Sequence, residues 1–201
     1  MNPAGGPRTI GVLALQGAFD AHVKVLSALG AKPRLVRVAQ HLHGLDGLVM
    51  PGGESTTMLK FLDRQGFFDD LKVFVAGTPT FGTCAGAILL AKHVQNPAQR
   101  SLEALDITVE RNGYGRQIDS AILKAETRLP GGPLEMVYIR APRIRSTGPG
   151  VDVLAERDGE PTLVRAGHLM AATFHPELSG DPRVHQMFLS LVEEYLPAVQ
   201  P

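Results

Sequence analysis

Cysteine is nearly missing from these 201 residues. A single one, Cys84, leaves nothing for an internal disulfide, so the fold owes nothing to oxidation. An excess of either charge is missing too. Lys+Arg and Asp+Glu both number 20, so the formal net charge is zero and no electrostatic footprint for nucleic acid or an anionic membrane is expected. A neutral surface mildly favours association, which suits an oligomer or a complex subunit. No apolar run approaches bilayer length. Arg8 does precede an apolar stretch from Ile10 to Leu15. That stretch is short, stops at Gln16 and Asp20, and has no small-residue cleavage pattern after it. A buried first strand is therefore expected rather than a signal peptide, and with it a cytoplasmic protein. Repeats, low-complexity tracts and an interdomain linker are also lacking. What remains, 44% apolar and 20% charged, is ordinary globular composition. The length fits one domain over residues 1–201, with the Gly/Pro-rich residues 1–7 as a frayed tail.

Strand and helix signals alternate through the first half. Thr9–Leu15 is nearly continuous in apolar residues, as a strand buried on both faces would be. Phe19, Val23, Leu26 and Leu29 recur at helical spacing until Gly30. Strands are expected at Leu35–Val38, Gly47–Met50 and Thr80–Gly82, and helices at Thr56–Arg64, Phe67–Val75 and Ala85 to Lys92. The alternation points to an α/β fold with a mainly parallel sheet covered by helices on both sides. The second half is richer in strand, with extended segments at Ile107–Glu110, Glu135–Ile139, Val151–Arg157, Pro161–Arg165 and His168–Thr173. Asp158-Gly159 is a hairpin turn signal, so an antiparallel edge is expected. Residues 94–101 and 128–134 read as loops. Asp181-Pro182 opens a last helix carrying Val184, Met187, Phe188, Leu191 and Tyr195.

Three segments carry chemistry. Phe81-Gly82-Thr83-Cys84-Ala85-Gly86 lies between a short strand and an apolar helix. Glycines on either side of the cysteine permit the strained turn of a nucleophile elbow. The helix N-terminus favours a thiolate there, and the amide of Ala85 points toward an oxyanion formed on an attacked carbonyl. A lone cysteine is also commonly a buried small hydrophobe, and the turn alone leaves both readings open. Thr173-Phe174-His175-Pro176-Glu177-Leu178 supplies what a thiolate nucleophile needs, a base and a carboxylate to orient it. In an extended segment Glu177 would project to the same side as His175. His22, His41, His43, His93, His168 and His185 have no such setting, and His41-x-His43 reads as exposed loop rather than a metal pair. The third segment is Met50-Pro51-Gly52-Gly53-Glu54-Ser55-Thr56. Its glycines allow close backbone approach to a ligand, and their amides could complete an oxyanion hole opposite Ala85. A plain strand–turn–helix with Ser55 as N-cap is the alternative, and both can hold. Without the lysine and spacing it is no Walker motif.

Together PGGEST, GTCAG and FHPEL resemble the class I glutamine amidotransferases, whose Cys-His-Glu triad sits on a flavodoxin-like three-layer α/β/α fold. LALQGAFDAH (13–22), VERNGYGRQIDS (109–120) and IRAP (139–142) narrow the resemblance to the glutaminase subunits of pyridoxal 5′-phosphate synthases, from about Thr9 to Tyr195. The departures are a longer N-terminal tail and Ala121 where a larger apolar residue is expected. The resemblance implies Cys84 as nucleophile, His175 as base and Glu177 as its orienter. Gly53 and Ala85 would supply oxyanion amides, and Gly52, Gly53, Glu54, Arg111, Ile139 and Arg140 would hold L-glutamine. Arg111 and Arg140 suit the carboxylate of a free amino acid, although an arginine in a strand is ordinarily a surface charge or ion pair. Gln16, Asn112 and Gln117 would face a synthase subunit in a large hetero-oligomer. That partner would take the ammonia for vitamin B6 synthesis and would switch the glutaminase on. No cofactor and no metal is implied. The competitors are a Cys-His peptidase or deglycase of similar architecture, and a redox-sensing module. The first would not pair HPE with PGGEST, and the second needs no oriented base.

Overall fold

The computed structural model describes residues 6–64, 66–111 and 121–195. Asn112 and Gln117, expected to face a partner, and residues 1–5 of the expected tail lie outside them. Gly6 and Pro7 are exposed and precede the first strand.

Among the described residues twelve strands and five α-helices follow one another. The first half runs β1 (Thr9–Leu13), α1 (Phe19–Ala28), β2 (Lys32–Val36), β3 (Gly47–Met50), α2 (Ser55–Arg64), α3 (Phe67–Gly77), β4 (Thr80–Thr83) and α4 (Ala85–Leu90). The second runs β5 (Ala91–Gln95), β6 (Leu105–Glu110), β7 (Ala121–Ala125), β8 (Leu134–Tyr138), β9 (Arg143–Thr147), β10 (Asp152–Arg157), β11 (Glu160–Ala166), β12 (Leu169–Ala172) and α5 (Arg183–Tyr195). A seven-stranded sheet is ordered β10-β11-β12-β4-β3-β1-β2. From β12 to β2 all pairings are parallel, while β10 and β11 add an antiparallel edge. Counting β12 as the fifth parallel strand gives the doubly wound order 2-1-3-4-5 of flavodoxin-like sheets.

Alternation along the strands divides the core in two. Ile10, Val12, Val49, Phe81, Met170 and Ala172 face Leu26 of α1 and Phe188, Leu191 and Val192 of α5. Leu13, Leu48, Met50 and Ala171 face the other way, toward α2, α3, α4 and the small β5-β6-β9 sheet. Each fully buried Leu or Phe contributes about 1.5–3 kcal/mol, so this three-layer stack fixes the strand register firmly.

Most expected elements are present, with three kinds of correction. The second strand lies earlier than expected, over Lys32–Val36, and includes Pro33. Lys32 donates its N–H to Arg8 O. Pro33, one residue on, therefore faces away from β1 at the sheet's outer edge, where a missing N–H is tolerated. The helix expected to reach Lys92 ends at Leu90, and Lys92 lies in β5, so residues 94 and 95 are strand rather than loop. Strands β7 and β9 had no counterpart in the sequence reading. The Asp158-Gly159 turn does join β10 to β11, with φ of 53° and 76° as a two-residue type I′ hairpin requires.

Candidate active site

Four loops meet at the carboxyl edge of the parallel strands, those leaving β1, β3, β4 and β12. This is where open α/β sheets hold their ligands. At the end of β4 the chain reverses into α4 through Cys84, whose φ of 48° and ψ of −103° lie far from the ordinary regions for a side-chain-bearing residue. Its N–H is held by Ala172 O of β12 at 2.8 Å, and it caps α4. The flanking glycines are sterically required. A Cβ on Gly82 would stand 2.6 Å from Gly86 carbonyl atoms, and one on Gly86 only 1.9 Å from Met50 O. The expected strained turn from strand to helix is therefore present. Cys84 is 6% exposed, and Ala85 opens α4 beside it.

His175 lies three residues past β12 rather than closing it, and a 3-10 turn over Pro176–Leu178 follows. The His–Glu pair is thus made by a turn and not by extended backbone. Its His175 Nδ1 to Glu177 Oε1 distance is 2.7 Å, and both residues are 6% exposed. The backbone N–H of His175 is anchored to Val137 O of β8 at 2.8 Å. Burial disfavours the imidazolium, but hydrogen bonds and charge attraction from Cys84 and Glu177 outweigh it and raise the His175 pKa to about 10. At neutral pH His175 is accordingly charged.

The loop after β3 closes over this pair. A Cβ on Gly52 would stand 2.3 Å from His175 Cε1 and 3.2 Å from Cys84 Cβ. Only glycine brings this backbone against both His175 and Cys84. Gly53 has φ 149°, and a Cβ there would meet Gln16 Nε2 at 2.5 Å. Gln16 donates to Glu54 O at 2.9 Å, so its amide braces this loop from within the chain. Gly17, with φ 92°, packs on Gly52 O.

Glu54, not Ser55, caps α2. Its two carboxylate oxygens accept from the backbone N–H groups of Thr56 at 3.1 Å and Thr57 at 2.7 Å and from both hydroxyls. Partial burial opposes ionisation, but the Thr56 and Thr57 hydrogen bonds prevail and lower its pKa to about 2. Ser55 instead donates its hydroxyl to Gln99. Glu54 Oε1 also lies 3.6 Å from a terminal nitrogen of Arg111, at the end of β6. The largely buried Arg111 keeps its Nε without a hydrogen-bond partner among the described residues. Ile139 and Arg140 follow β8 and are exposed, Arg140 with φ 46°. Their segment adjoins the His175 anchor at Val137, yet nothing ties either side chain to Cys84.

Two residues set aside in the sequence reading belong here. His22 of α1 and His185 of α5 are fully buried behind Glu177. Helical spacing carried a signal for both. His22 shares its face with Leu26, and His185 shares its face with Phe188 and Val192, all buried. His41 and His43 are exposed as expected, though His41 sits in a 3-10 turn, and no group of potential metal ligands occurs among the described residues.

Known proteins resemble this chain along nearly its whole length. The pyridoxal 5′-phosphate synthase subunit PdxT of Koribacter versatilis is 63% identical over 183 residues, 91% of this chain and 95% of that protein. The subunit of the same name from Solibacter usitatus is 52% identical over 189 residues, 91% of this chain and 98% of its own. A crystal structure described as a glutamine amidotransferase superposes with a TM-score of 0.85 at 45% identity, covering 92% of this chain and 98% of that one. A chain of the PurLQS structure from Thermotoga maritima shares the fold alone, with a TM-score of 0.65 at 15% identity over 96% of this chain and 100% of that one. The chain matches the model of the SNO glutamine amidotransferase family over residues 12–194, and it belongs to that family.

Proposed function

We propose that this chain is the glutaminase subunit of a pyridoxal 5′-phosphate synthase, hydrolysing L-glutamine to L-glutamate and ammonia. The observation that carries this reading is the buried Cys84–His175–Glu177 array, with the nucleophile on a positive-φ elbow and its base bonded to a carboxylate at 2.7 Å. Attack by the Cys84 thiolate on the side-chain amide carbon of glutamine forms a C–S bond and places negative charge on the amide oxygen. The amides of Gly53 and Ala85 are assigned to that oxyanion. As the C–N bond breaks, His175 transfers its proton to the departing nitrogen, and ammonia leaves. The γ-glutamyl thioester no longer carries the thiolate charge that held His175 protonated, so the imidazole is free to take a proton from water. The resulting hydroxide adds to the thioester, the C–S bond breaks, and glutamate is released with the Cys84 thiolate restored.

Arg111 is assigned to the substrate carboxylate, since it is cationic, largely buried and incompletely paired among the described residues. Gly52, Gly53, Ile139 and Arg140 complete the glutamine site. Glu54 contributes by holding Arg111, its own oxygens being taken up by the α2 cap. The relatives named PdxT are subunits of pyridoxal 5′-phosphate synthase. By that likeness the ammonia passes to a synthase subunit within a large hetero-oligomer, with Gln16, Asn112 and Gln117 toward the partner. Docking switches the glutaminase on by turning the Gly52–Gly53 peptide, a change that glycine makes easy. No helix among the described residues is long and apolar enough to cross a membrane.

Acid quenching during turnover, with the synthase subunit present, tests the reading. Mass spectrometry should find one glutamyl group on the peptide containing Cys84, and none in Cys84→Ala, which hydrolyses no glutamine. Turnover with the label on another residue would overturn it.

A further inference from the structure

Behind the triad lies a row of buried polar side chains that the steps above do not use. Glu177 gives Oε1 to His175, while its Oε2 has no well-formed hydrogen bond among the described residues and lies 3.4 Å from His22 Nε2. The same His22 nitrogen is 3.2 Å from Thr83 Oγ1, next to the nucleophile. On its far side His22 Nδ1 is 2.9 Å from His185 Nε2, and His185 Nδ1 has no partner among the described residues. Both rings are wholly excluded from solvent.

These contacts select one arrangement of protons. If His22 carried its proton on Nδ1, it would donate to His185 Nε2, and its Nε2 could only accept, from the Thr83 hydroxyl, leaving Glu177 Oε2 without a donor. His185 would then hold its proton on Nδ1, a buried donor without an acceptor among the described residues, which is costly. With the proton on His22 Nε2, Glu177 Oε2 gains a donor and His22 Nδ1 accepts from His185 Nε2–H. The atom left without a partner is then only an acceptor. Both ends of the row favour this second arrangement. Burial, the main cause, pushes the pKa of His22 well below its ordinary value and that of His185 to about 4, so both donate as neutral rings. The group behind Glu177 is therefore a neutral donor and not a second cation beside His175.

We propose that His22 is a positioning residue for glutamine hydrolysis: it donates from Nε2 to Glu177 Oε2, is held in that tautomer by His185, and fixes the carboxylate so that Oε1 faces His175. This rests on the glutaminase reading of the triad. A carboxylate tied through one oxygen can still rotate about its last bond, whereas one tied through both presents a fixed acceptor to the base. His22 also stands on α1, directly after the Gln16–Gly17 loop that packs on Gly52–Gly53, so one segment braces both sides of the site.

The test uses the chain in complex with its synthase subunit. His22→Leu removes the donor, and His22→Gln restores an N–H at nearly the same reach. His22→Leu should lower kcat by about tenfold or more, with KM changed by less than about twofold, and His22→Gln should recover most of the loss. In ¹⁵N-histidine spectra of the native chain, His22 should carry its proton on Nε2. Cys84 and Glu177 are the groups that raise the His175 pKa; with the carboxylate no longer held by His22, His175 should titrate lower in His22→Leu than in the native chain. Equal losses in both variants, an undiminished kcat in His22→Leu, or a proton on His22 Nδ1 would overturn the proposal. If His22→Leu does not fold, the tautomer and the His22→Gln kinetics decide. Native complex that releases no ammonia from glutamine would defeat the glutaminase reading instead, while the spectra would still decide where His22 donates.

Discussion

Cys84 bears a side chain at φ 48°, ψ −103°, a conformation that costs on the order of 1–3 kcal/mol and persists only where the surroundings enforce it. The enforcement comes from the Ala172 carbonyl that holds its N–H and from the glycines packed at 82 and 86. His175 is coupled to it electrostatically. Because its pKa stands at about 10, above the ordinary 6.5, protonated His175 contributes stability in full below pH 6.5. That contribution is lost as pH rises through about 10. The same titration should set the alkaline limb of kcat/KM. Removing the sulfur in Cys84→Ala takes away two of the influences that raise this pKa, so His175 should titrate lower there in an NMR titration. An unchanged midpoint would show that Cys84 does not bear on the base. The motif residues were legible in the sequence because each carries its chemistry in its type and in the glycines beside it. For His22 and His185 helical spacing signals burial alone, and their role emerges only when α1 and α5 bring both rings together behind Glu177.

At the level of elements, the site depends on how closely α4 approaches β3. Gly86 lets the first turn of α4 lie against the Met50 carbonyl, and a methyl group there would overlap that oxygen at 1.9 Å. Gly86→Ala must push the β3 end away, and the expected loss is about 1–3 kcal/mol or more, read as a lower urea midpoint. Gly77→Ala, in a helical residue whose added methyl meets nothing within 4 Å, is the control and should leave the midpoint unchanged or raise it. Equal midpoints for the two variants would contradict the close approach. The buried parallel strands were readable from their apolar runs, and the last helix from Asp181-Pro182. Strand β5 was not, because no glycine or proline separates AGAILL from AKHVQ and only Ala91 of the strand is buried. In β7 every residue is partly or wholly exposed, and in β9 only Ile144 is buried, so neither shows the apolar pattern from which the other strands were read.

Across the whole molecule, loops from β1, β3, β4 and β12 converge on one edge, and the α1 segment touches both the Gly52–Gly53 loop and the triad carboxylate. The resemblance stated from the sequence spans this architecture, and similarity over 91% of the chain to synthase subunits named PdxT agrees with it. The proposed partner switch is not legible in the sequence, because the Gly52–Gly53 loop assigned to the oxyanion would act through backbone whose orientation side-chain identity does not set. The most direct measurement is ammonia released from glutamine by the native chain and by Cys84→Ala, each with and without the synthase subunit. Strong release by the native chain only when the subunit is present, and none by Cys84→Ala in either case, is the expected result. Full activity of the isolated native chain would contradict partner gating, and release by Cys84→Ala would contradict the nucleophile itself.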